Sequence, residues 1–380
     1  MLVKKSYLRF SELELRNHYN LCPLCTMRLT SLRIRDQWFI DNGLCFICRG
    51  LMSQLDYLDR LIESQVGNTY EFETFCIGIS LPHDIFDRED QVRARHKLRG
   101  NESVKSQLQN VLRERFQERL RKKLSFYEPD LSINVSISQL GEARIFAKSR
   151  SLTFSGRYIK KQRGLPQRQC YCRQCEGRGK EPYYHNQCSH TGCSIESIIA
   201  AELIRITKGN YPKFSWIGSE DPTSLVSGNG RPFFVRLSDP KLRSLNAPVY
   251  IDTHEVGIIL EAESKSAPKS PIQFITKAKV VVESFEILEV ERLKGLSRLN
   301  SSLVKFQDRN RVTKKRIHSL EYSGVTSKCF VMELMVEGGF SIKKFVSGYD
   351  NTVPSVSEII GTRCGTKIFD ISEVILQQSY

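Results

Sequence analysis

Apolar and polar residues follow two periodicities in the first half of this chain. Residues 131–137 alternate apolar and polar side chains, which predicts a half-buried strand. Residues 74–81 are mostly apolar and predict a buried strand. Residues 102–124 repeat apolar positions every three or four residues among many arginines and lysines, which predicts an amphipathic helix. The basic side of this helix is interpreted as a solvated face, with contact to an RNA backbone as the alternative.

The second half mixes strand-like segments with turns. We predict strands at 279–289, 329–336 and 366–375. Residues 354–361 predict a helix that starts at a proline and serine, carries a glutamate three residues after the serine, and ends at a glycine. This mixture predicts an α+β fold around a large, mainly antiparallel sheet. Residues 264–271 are the best candidate for an exposed insertion.

Composition adds a partner class to this picture. The 380 residues include 57 Lys and Arg against 42 Asp and Glu, a net charge of +15. Such an excess favours phosphate-rich partners, RNA or DNA, with salt-sensitive affinity. The sequence has neither an apolar run long enough to span a membrane nor a secretory signal pattern, so we expect a cytoplasmic protein.

Cysteines are grouped in pairs with the spacing of metal ligands. The first group, Cys22, Cys25, Cys45 and Cys48, forms two C-x-x-C knuckles separated by 19 residues. This spacing is typical of four-cysteine zinc sites, and we predict a structural zinc ion here. A second group comprises Cys172, Cys175, Cys188 and Cys193, with Cys170 and two histidines nearby. Its spacing is less regular, and both a second metal and reduced structural thiols remain open.

A basic and aromatic segment precedes the second cysteine group. Between Lys148 and Lys180 there are ten Lys and Arg and one acidic residue, with Phe154, Tyr158 and Tyr171 among them. Cations with aromatic platforms suit flexible or single-stranded RNA, because phosphates pair with the cations and bases stack on the rings. The cations predicted to bind RNA are Arg157, Lys160, Lys161 and Arg163.

Residues 218–233, GSEDPTSLVSGNGRPF, place an acidic pair before a tight turn that carries an arginine. This segment resembles the signature of the tRNA pseudouridine-54/55 synthases of archaea and eukaryotes, roughly G-x-E-D-x-x-x-x-x-x-G-x-G-R-P-F, without gaps. The resemblance implies that Asp221 is the catalytic aspartate and Glu220 a structural partner. It also implies that Arg231 orders the loop or contacts a phosphate.

Residues 338–361, GGFSIKKFVSGYDNTVPSVSEIIG, resemble the second landmark of that family, a G-x-Y-I-K segment leading to P-S-V-x-E-L-L-G. The matching basic residue is Lys343, which we expect beside Asp221 because a neighbouring cation keeps a carboxylate ionised. Ser341 stands at the position of the family's tyrosine, with Phe340 one residue earlier. A second expected tyrosine corresponds to Lys279.

The resemblance covers most of the chain and implies a three-part organisation. Residues 1–66 form a zinc-binding region, 67–160 a THUMP-like RNA-binding domain, and 161–380 a pseudouridine synthase domain with a mixed sheet and a central cleft. The implied reaction converts uridine to pseudouridine in the TΨC arm of tRNA, without an organic cofactor, in a protein that is expected to be a monomer.

Two other functions are compatible with parts of the sequence. The first is a catalytically degenerate tRNA-binding or tRNA-folding module of the same family, which the tyrosine replacements favour and the intact acidic pair disfavours. The second is a zinc-dependent DNA-binding protein or an RNA methyltransferase. The glycine turn at 228–230 continues into Arg-Pro and not into a predicted helix, which disfavours a nucleotide-cofactor site.

Overall fold

The computed structural model describes residues 15, 18–30, 44–98, 102–168, 194–210, 212–245, 248–263, 272–308 and 311–377. The second cysteine group, Tyr171 and the predicted insertion at 264–271 lie outside these residues. The chain divides into two compact units, one of residues 1–150 with 239–243 and the other of 151–238 with 244–380. The predicted domain limits at 66/67 and 160/161 stay predictions.

Within its described residues, the first unit combines four helices with a four-stranded sheet. Its helices are α1 (Pro23–Thr30), α2 (Leu55–Val66), α3 (His83–His96) and α4 (Val104–Leu120), and Leu51–Ser53 form a 3-10 turn. Its strands are β1 (Thr74–Ser80), β2 (Lys123–Leu124), β3 (Leu131–Ile137) and β4 (Ala143–Ser149). The strand order is β2-β1-β3-β4, with β1 parallel to β2 and β3 and with β4 antiparallel to β3.

One apolar core runs through this whole unit. It begins at the cysteine knuckles, includes the inner faces of the helices, and ends on the sheet at Ile137. The helix predicted at 102–124 is confirmed as α4, and the residues that it buries are Val104, Leu108, Leu112 and Phe116. The alternating segment 131–137 is confirmed as β3, because its apolar positions are the ones that face the core.

The second unit is built on a ten-stranded sheet. Its first strands are β5 (Leu152–Lys160), β6 (Lys213–Trp216), β7 (Val226–Leu237), β8 (Val249–Asp252) and β9 (Val256–Glu263). Its later strands are β10 (Phe274–Ser284), β11 (Leu303–Asp308), β12 (Arg311–Ser323), β13 (Cys329–Glu337) and β14 (Cys364–Leu376). Its helices are α5 (Ile195–Thr207), α6 (Val290–Leu293), α7 (Ile342–Ser347) and α8 (Val356–Ile360), and Lys294–Leu299 are 3-10.

The sheet order is β11-β12-β13-β10-β14-β7-β5-β9-β8, and β6 also pairs with β7. Among the described strands of this sheet, β14 and β7 form a parallel pair at Ile371 and Val226, and the other pairs are antiparallel. Strand β14 therefore joins two groups of strands, and an apolar cluster packs against each group. The mainly antiparallel sheet of the predicted α+β class is present.

Two sequence predictions need correction in this unit. The strand predicted at 279–289 lies at Phe274–Ser284, because the chain turns after Ser284 and its amides bond to the carbonyls of Arg363 and Ser327. Phe154 and Tyr158, predicted as stacking platforms for RNA bases, lie in β5 with 2% and 0% of their surface exposed. Their rings are part of the core and are not accessible to a base.

The helix that the capping pattern predicted near 354–361 is confirmed as α8. The Ser355 hydroxyl accepts a hydrogen bond from the Glu358 amide, and the Glu358 carboxylate accepts one from the Ser355 amide. Gly361 ends the helix in the left-handed conformation, with a φ of 76°. This short helix and α7 follow β13 and bring a lysine to the site described next.

Candidate active site

The acidic pair lies in a loop between β6 and β7 whose shape is fixed by its own side chains. The Asp221 carboxylate oxygen Oδ1 accepts hydrogen bonds from the amide and the hydroxyl of Thr223, at 3.0 and 2.7 Å. The Asp221 carbonyl accepts bonds from the amide and hydroxyl of Ser224. This is a turn closed by an aspartate side chain. It leaves the second carboxylate oxygen, Oδ2, free to face α7.

Lys343, the second residue of α7, contacts Asp221 as the sequence predicted. Its Nζ donates to Asp221 Oδ2 and forms an ion pair with it. Partial burial of Asp221 opposes ionisation, but the hydrogen bonds from Lys343 and Thr223 outweigh it and lower the pKa of Asp221 to about 2. The carboxylate is therefore ionised at neutral pH while a fifth of its side-chain surface stays exposed.

Glu220, the other member of the acidic pair, points into the protein and is completely buried. Its carboxylate accepts a hydrogen bond from the Tyr158 hydroxyl at 2.9 Å and lies 3.7 Å from the ammonium of Lys160 and 3.3 Å from Nε of Arg231. Burial raises the pKa of Glu220, and the two cations oppose that effect. Glu220 thus anchors a buried polar cluster.

Lys160 belongs to this cluster, which corrects its assignment as an RNA-binding residue. Its side chain is fully buried, and its ammonium donates to the carbonyls of Asp221 and Pro222 at 3.2 and 2.8 Å. Lys160 therefore supports the backbone of the Asp221 loop from below. Of the two roles left open for Arg231, its burial and its hydrogen bond to the Ile217 carbonyl favour ordering of the loop.

The other three predicted RNA-binding cations form ion pairs within this unit. Arg163 binds both carboxylate oxygens of Asp370 at 2.6 and 2.8 Å and donates to the Thr223 carbonyl. Arg157 pairs with Glu261, and Lys161 with Asp252. Arg163 therefore ties the Asp221 loop to β14, since Asp370 also accepts a hydrogen bond from the Leu225 amide.

A cavity of about 340 Å³ opens beside Asp221 and Lys343. Phe340 and Ser341 both line it, but the Phe340 ring packs edge-on against Phe306 and Phe345. Strand β10 contributes Phe274 and Thr276 to the wall, and Lys279 is not among the lining residues. Strand β14 contributes Phe369. The cavity thus combines an ionised carboxylate with aromatic walls.

The sequence analysis did not identify Phe274 as a residue of the cavity. The sequence feature that accompanies it is a pair of glycines that leave room for its ring. A Cβ atom on Gly218 would come within 2.8 Å of the Phe274 ring, and one on Gly338 within 2.5 Å. The ring is therefore held between two residues without side chains, one in each of the two motifs. Gly218 also has a φ of 75°, which favours glycine independently.

The four cysteines of the first group converge in the first unit. Their sulfur atoms all lie within 4.8 Å of one another, and those of Cys22 and Cys48 are 3.7 Å apart. A tetrahedral zinc site with Zn–S bonds of about 2.3 Å requires sulfurs about 3.8 Å apart, so the cluster fits this metal. Buried Arg28 lies 3.5 Å from the Cys25 sulfur and pairs with Glu89, which links the cluster to α3.

The neighbouring lysines of the sequence allow a direct test of the buried cluster. Lys160→Met removes a buried cation and is expected to lower the free energy of unfolding by about 3 kcal/mol. Lys161→Met removes a partly exposed ion pair with Asp252 and is expected to lower the free energy of unfolding by less than about 1 kcal/mol. Urea unfolding of both variants measures the difference. Equal losses would contradict the supporting role of Lys160.

Known proteins match the chain in both units. The family model "Pus10 THUMP domain, archaeal" matches residues 59–136, and "Pus10, C-terminal" matches residues 154–284. The tRNA pseudouridine synthase Pus10 of Cenarchaeum symbiosum is 30% identical over 341 residues, which are 88% of this chain and 82% of the relative. The chain belongs to the Pus10 family of tRNA pseudouridine synthases.

Further Pus10 relatives support this membership. The Nitrosopumilus maritimus protein is 29% identical across 94% of this chain and 95% of its own length. The Methanosphaera stadtmanae protein is 26% identical across 94% of this chain and 96% of its own. The resemblance found in the sequence is confirmed, and so is the predicted order of a THUMP-like region before a pseudouridine synthase domain. Within the described residues, no helix combines the length and apolar character needed to cross a bilayer.

Proposed function

We propose that this Pus10 family member isomerises uridine to pseudouridine at position 54, position 55 or both in the TΨC arm of tRNA, with Asp221 as the catalytic carboxylate. The observation that carries the proposal is the position of Asp221. Asp221 lines a cavity, and its carboxylate is kept ionised by the ion pair with Lys343. Thr223 orients the carboxylate by hydrogen bonding, and Lys160 donates a hydrogen bond to the backbone of the same loop.

The reaction breaks the bond between C1′ of the ribose and N1 of uracil, rotates the base and forms a bond from C1′ to C5. The proton on C5 leaves to solvent and N1 gains one, so substrate and product are isomers and no redox cofactor is required. An ionised carboxylate beside the sugar can serve as a nucleophile at C1′ or as a base toward the sugar, and both roles suit Asp221. A uridine within a folded arm has to be flipped out to enter the cavity.

Purified protein and unmodified tRNA transcripts test this proposal. Tritium at C5 of uridine is released on isomerisation, and transcripts with cytidine at position 54 or at position 55 assign the site. We expect release that disappears when the modified position is replaced. Tight binding without release from any transcript would favour the tRNA-binding or tRNA-folding module instead, an outcome that the absence of tyrosine at Ser341 makes worth testing.

Lys343 provides a pH-dependent test of the site. The folded-state pKa of Asp221, about 2, lies below the unfolded value of about 3.9, so its ionisation stabilises the fold above about pH 4 and this contribution is lost as the pH falls toward 2. Lys343→Met is expected to raise the pKa of Asp221, because the ammonium that donates to its carboxylate is removed while the partial burial of the carboxylate remains.

A ¹³C titration of labelled aspartate side chains measures this pKa, with Asp221→Asn to assign the signal. Lys344→Met is the matched control, since the neighbouring lysine pairs with Asp350. The Asp221 signal should be unchanged in the control. An unchanged pKa in Lys343→Met would contradict the role of Lys343.

The four-cysteine cluster supports a structural zinc ion as the metal of the protein. Cys22, Cys25, Cys45 and Cys48 would hold it, and bound zinc would supply stability to the first unit and no step of the reaction. A monomeric, cytoplasmic protein remains our prediction.

A further inference from the structure

One face of the four-stranded sheet in the first unit is open. The apolar residues of β1 and β3 point to the opposite face, where they join the core, and the partly buried residues of β4 also pack there. The register then fixes which residues share the open face. They are Thr74, Cys76, Gly78 and Ser80 on β1, Lys123 on β2, Ser132, Asn134 and Ser136 on β3, and Arg144, Phe146 and Lys148 on β4.

Phe146 is the unusual member of this face. It is directly paired with Asn134, which is in turn paired with Gly78, so a phenyl ring, an amide and a residue without a side chain form one row across three strands. The ring is 59% exposed. An exposed aromatic residue in the middle of a polar face has no role in the core. The Asn134 amide lies over the glycine, since a Cβ atom on Gly78 would be 3.4 Å from its Oδ1, and it also contacts the Ser80 hydroxyl.

The charge of this face favours an anionic ligand. Arg144 and Lys148 lie two residues before and after Phe146, about 7 Å away on each side along the strand, and both are exposed. In the described part of the chain neither forms an ion pair, whereas Arg157, Lys161 and Arg163 are paired with carboxylates. The eleven residues of the open face include no carboxylate.

We propose that this open face, Gly78–Asn134–Phe146 with Arg144 and Lys148, binds an unpaired nucleotide segment of the RNA substrate. The base stacks on Phe146, its edge hydrogen-bonds to Asn134, and the flanking phosphates pair with the two cations. The inference rests on the proposed function for the identity of the RNA. Phe146 lies beyond residues 59–136, the segment matched by the THUMP family model.

Fluorescence anisotropy of the full-length protein with a short, unstructured, labelled RNA tests the site. Phe146→Ala and Phe146→Leu should each weaken binding about 5- to 150-fold, because stacking is lost in both. Phe146→Tyr keeps the ring and should bind like the wild type. Arg144→Ala should lower the slope of log Kd against log salt by about 1. The matched control is Phe285→Ala, a phenylalanine of the other unit that is 68% exposed, and this change should not alter the affinity.

Three results would overturn the proposal. The first is binding by Phe146→Ala within about twofold of the wild type. The second is wild-type binding by Phe146→Leu, which would indicate an apolar surface for a protein partner. A fully paired RNA could also compete as well as the single strand. Asp221→Asn should not change this binding, and Phe146→Ala should convert tRNA normally at saturation. Failure of the sheet-face site and failure of the catalytic proposal are therefore separate outcomes.

Discussion

Asp221→Asn is expected to bind tRNA with wild-type affinity and to lower the rate of pseudouridine formation at least about 10,000-fold. The amide has the same shape, and its oxygen can still accept the hydrogen bonds from Thr223 that orient the side chain. What it lacks is the negative charge, and with it the capacity to act as a nucleophile or a base. Loss of an essential catalytic group costs on the order of 10⁴- to 10⁶-fold in other enzymes.

The measurement is single-turnover conversion of an unmodified transcript, with tRNA binding measured on the same preparations. Asp252→Asn is the matched control, because this aspartate is highly exposed and also contacts a lysine, Lys161. It should convert at the wild-type rate. Conversion by Asp221→Asn within about tenfold of the control would exclude Asp221 as the catalytic residue, and loss of binding would show that the change disturbed the loop.

Removal of the zinc ion that we propose for the four-cysteine cluster is expected to unfold the first unit as a whole. A structural zinc site contributes about 10–16 kcal/mol of apparent binding free energy, which is more than the stability of most domains. The knuckle cysteines and the sheet share one apolar core, so no separate core remains to hold the sheet when the knuckles open. Cys45→Ser should therefore have the same effect as chelation, because it removes one of the four ligands.

Hydrogen exchange read by mass spectrometry locates the effect. Protection should disappear in β1, β3 and α4 and persist in β10 and β14, which belong to the other unit. Cys76→Ser, a cysteine outside the cluster, is the control and should retain both the metal and the protection. If Cys45→Ser exposes only the knuckle residues, the metal stabilises a local feature and not the unit.

Local patterns predicted the elements whose stability is decided locally. The apolar periodicity of α4, the alternation in β3 and the capping box of α8 each specify a structure within one segment. The convergence of the four cysteines was also predictable, because the spacing of the two knuckles is typical of four-cysteine zinc sites. Contact between Asp221 and Lys343 followed from family resemblance, since 122 residues separate the two along the chain.

Properties set by strand position were not predictable in this way. The segment containing Phe154, Tyr158 and Lys160 reads as a basic, aromatic RNA-binding stretch, yet β5 lies inside the large sheet and buries all three. A lysine can be buried here because two backbone carbonyls and Glu220 surround its ammonium. Likewise, no sequence pattern around Phe274 predicts that it lines the cavity. Its position depends on two glycines that are distant along the chain, Gly218 and Gly338.

The position of β14 determines when this protein can first become active during its synthesis. The strand pairs with β10 and β7, carries Asp370 to the Asp221 loop and places Phe369 in the cavity wall. The residues of β14 are translated after both motifs of the site, 218–233 and 338–361. A nascent chain that has not yet released residues 364–376 from the ribosome lacks this strand, so we expect no RNA modification before β14 has joined the sheet.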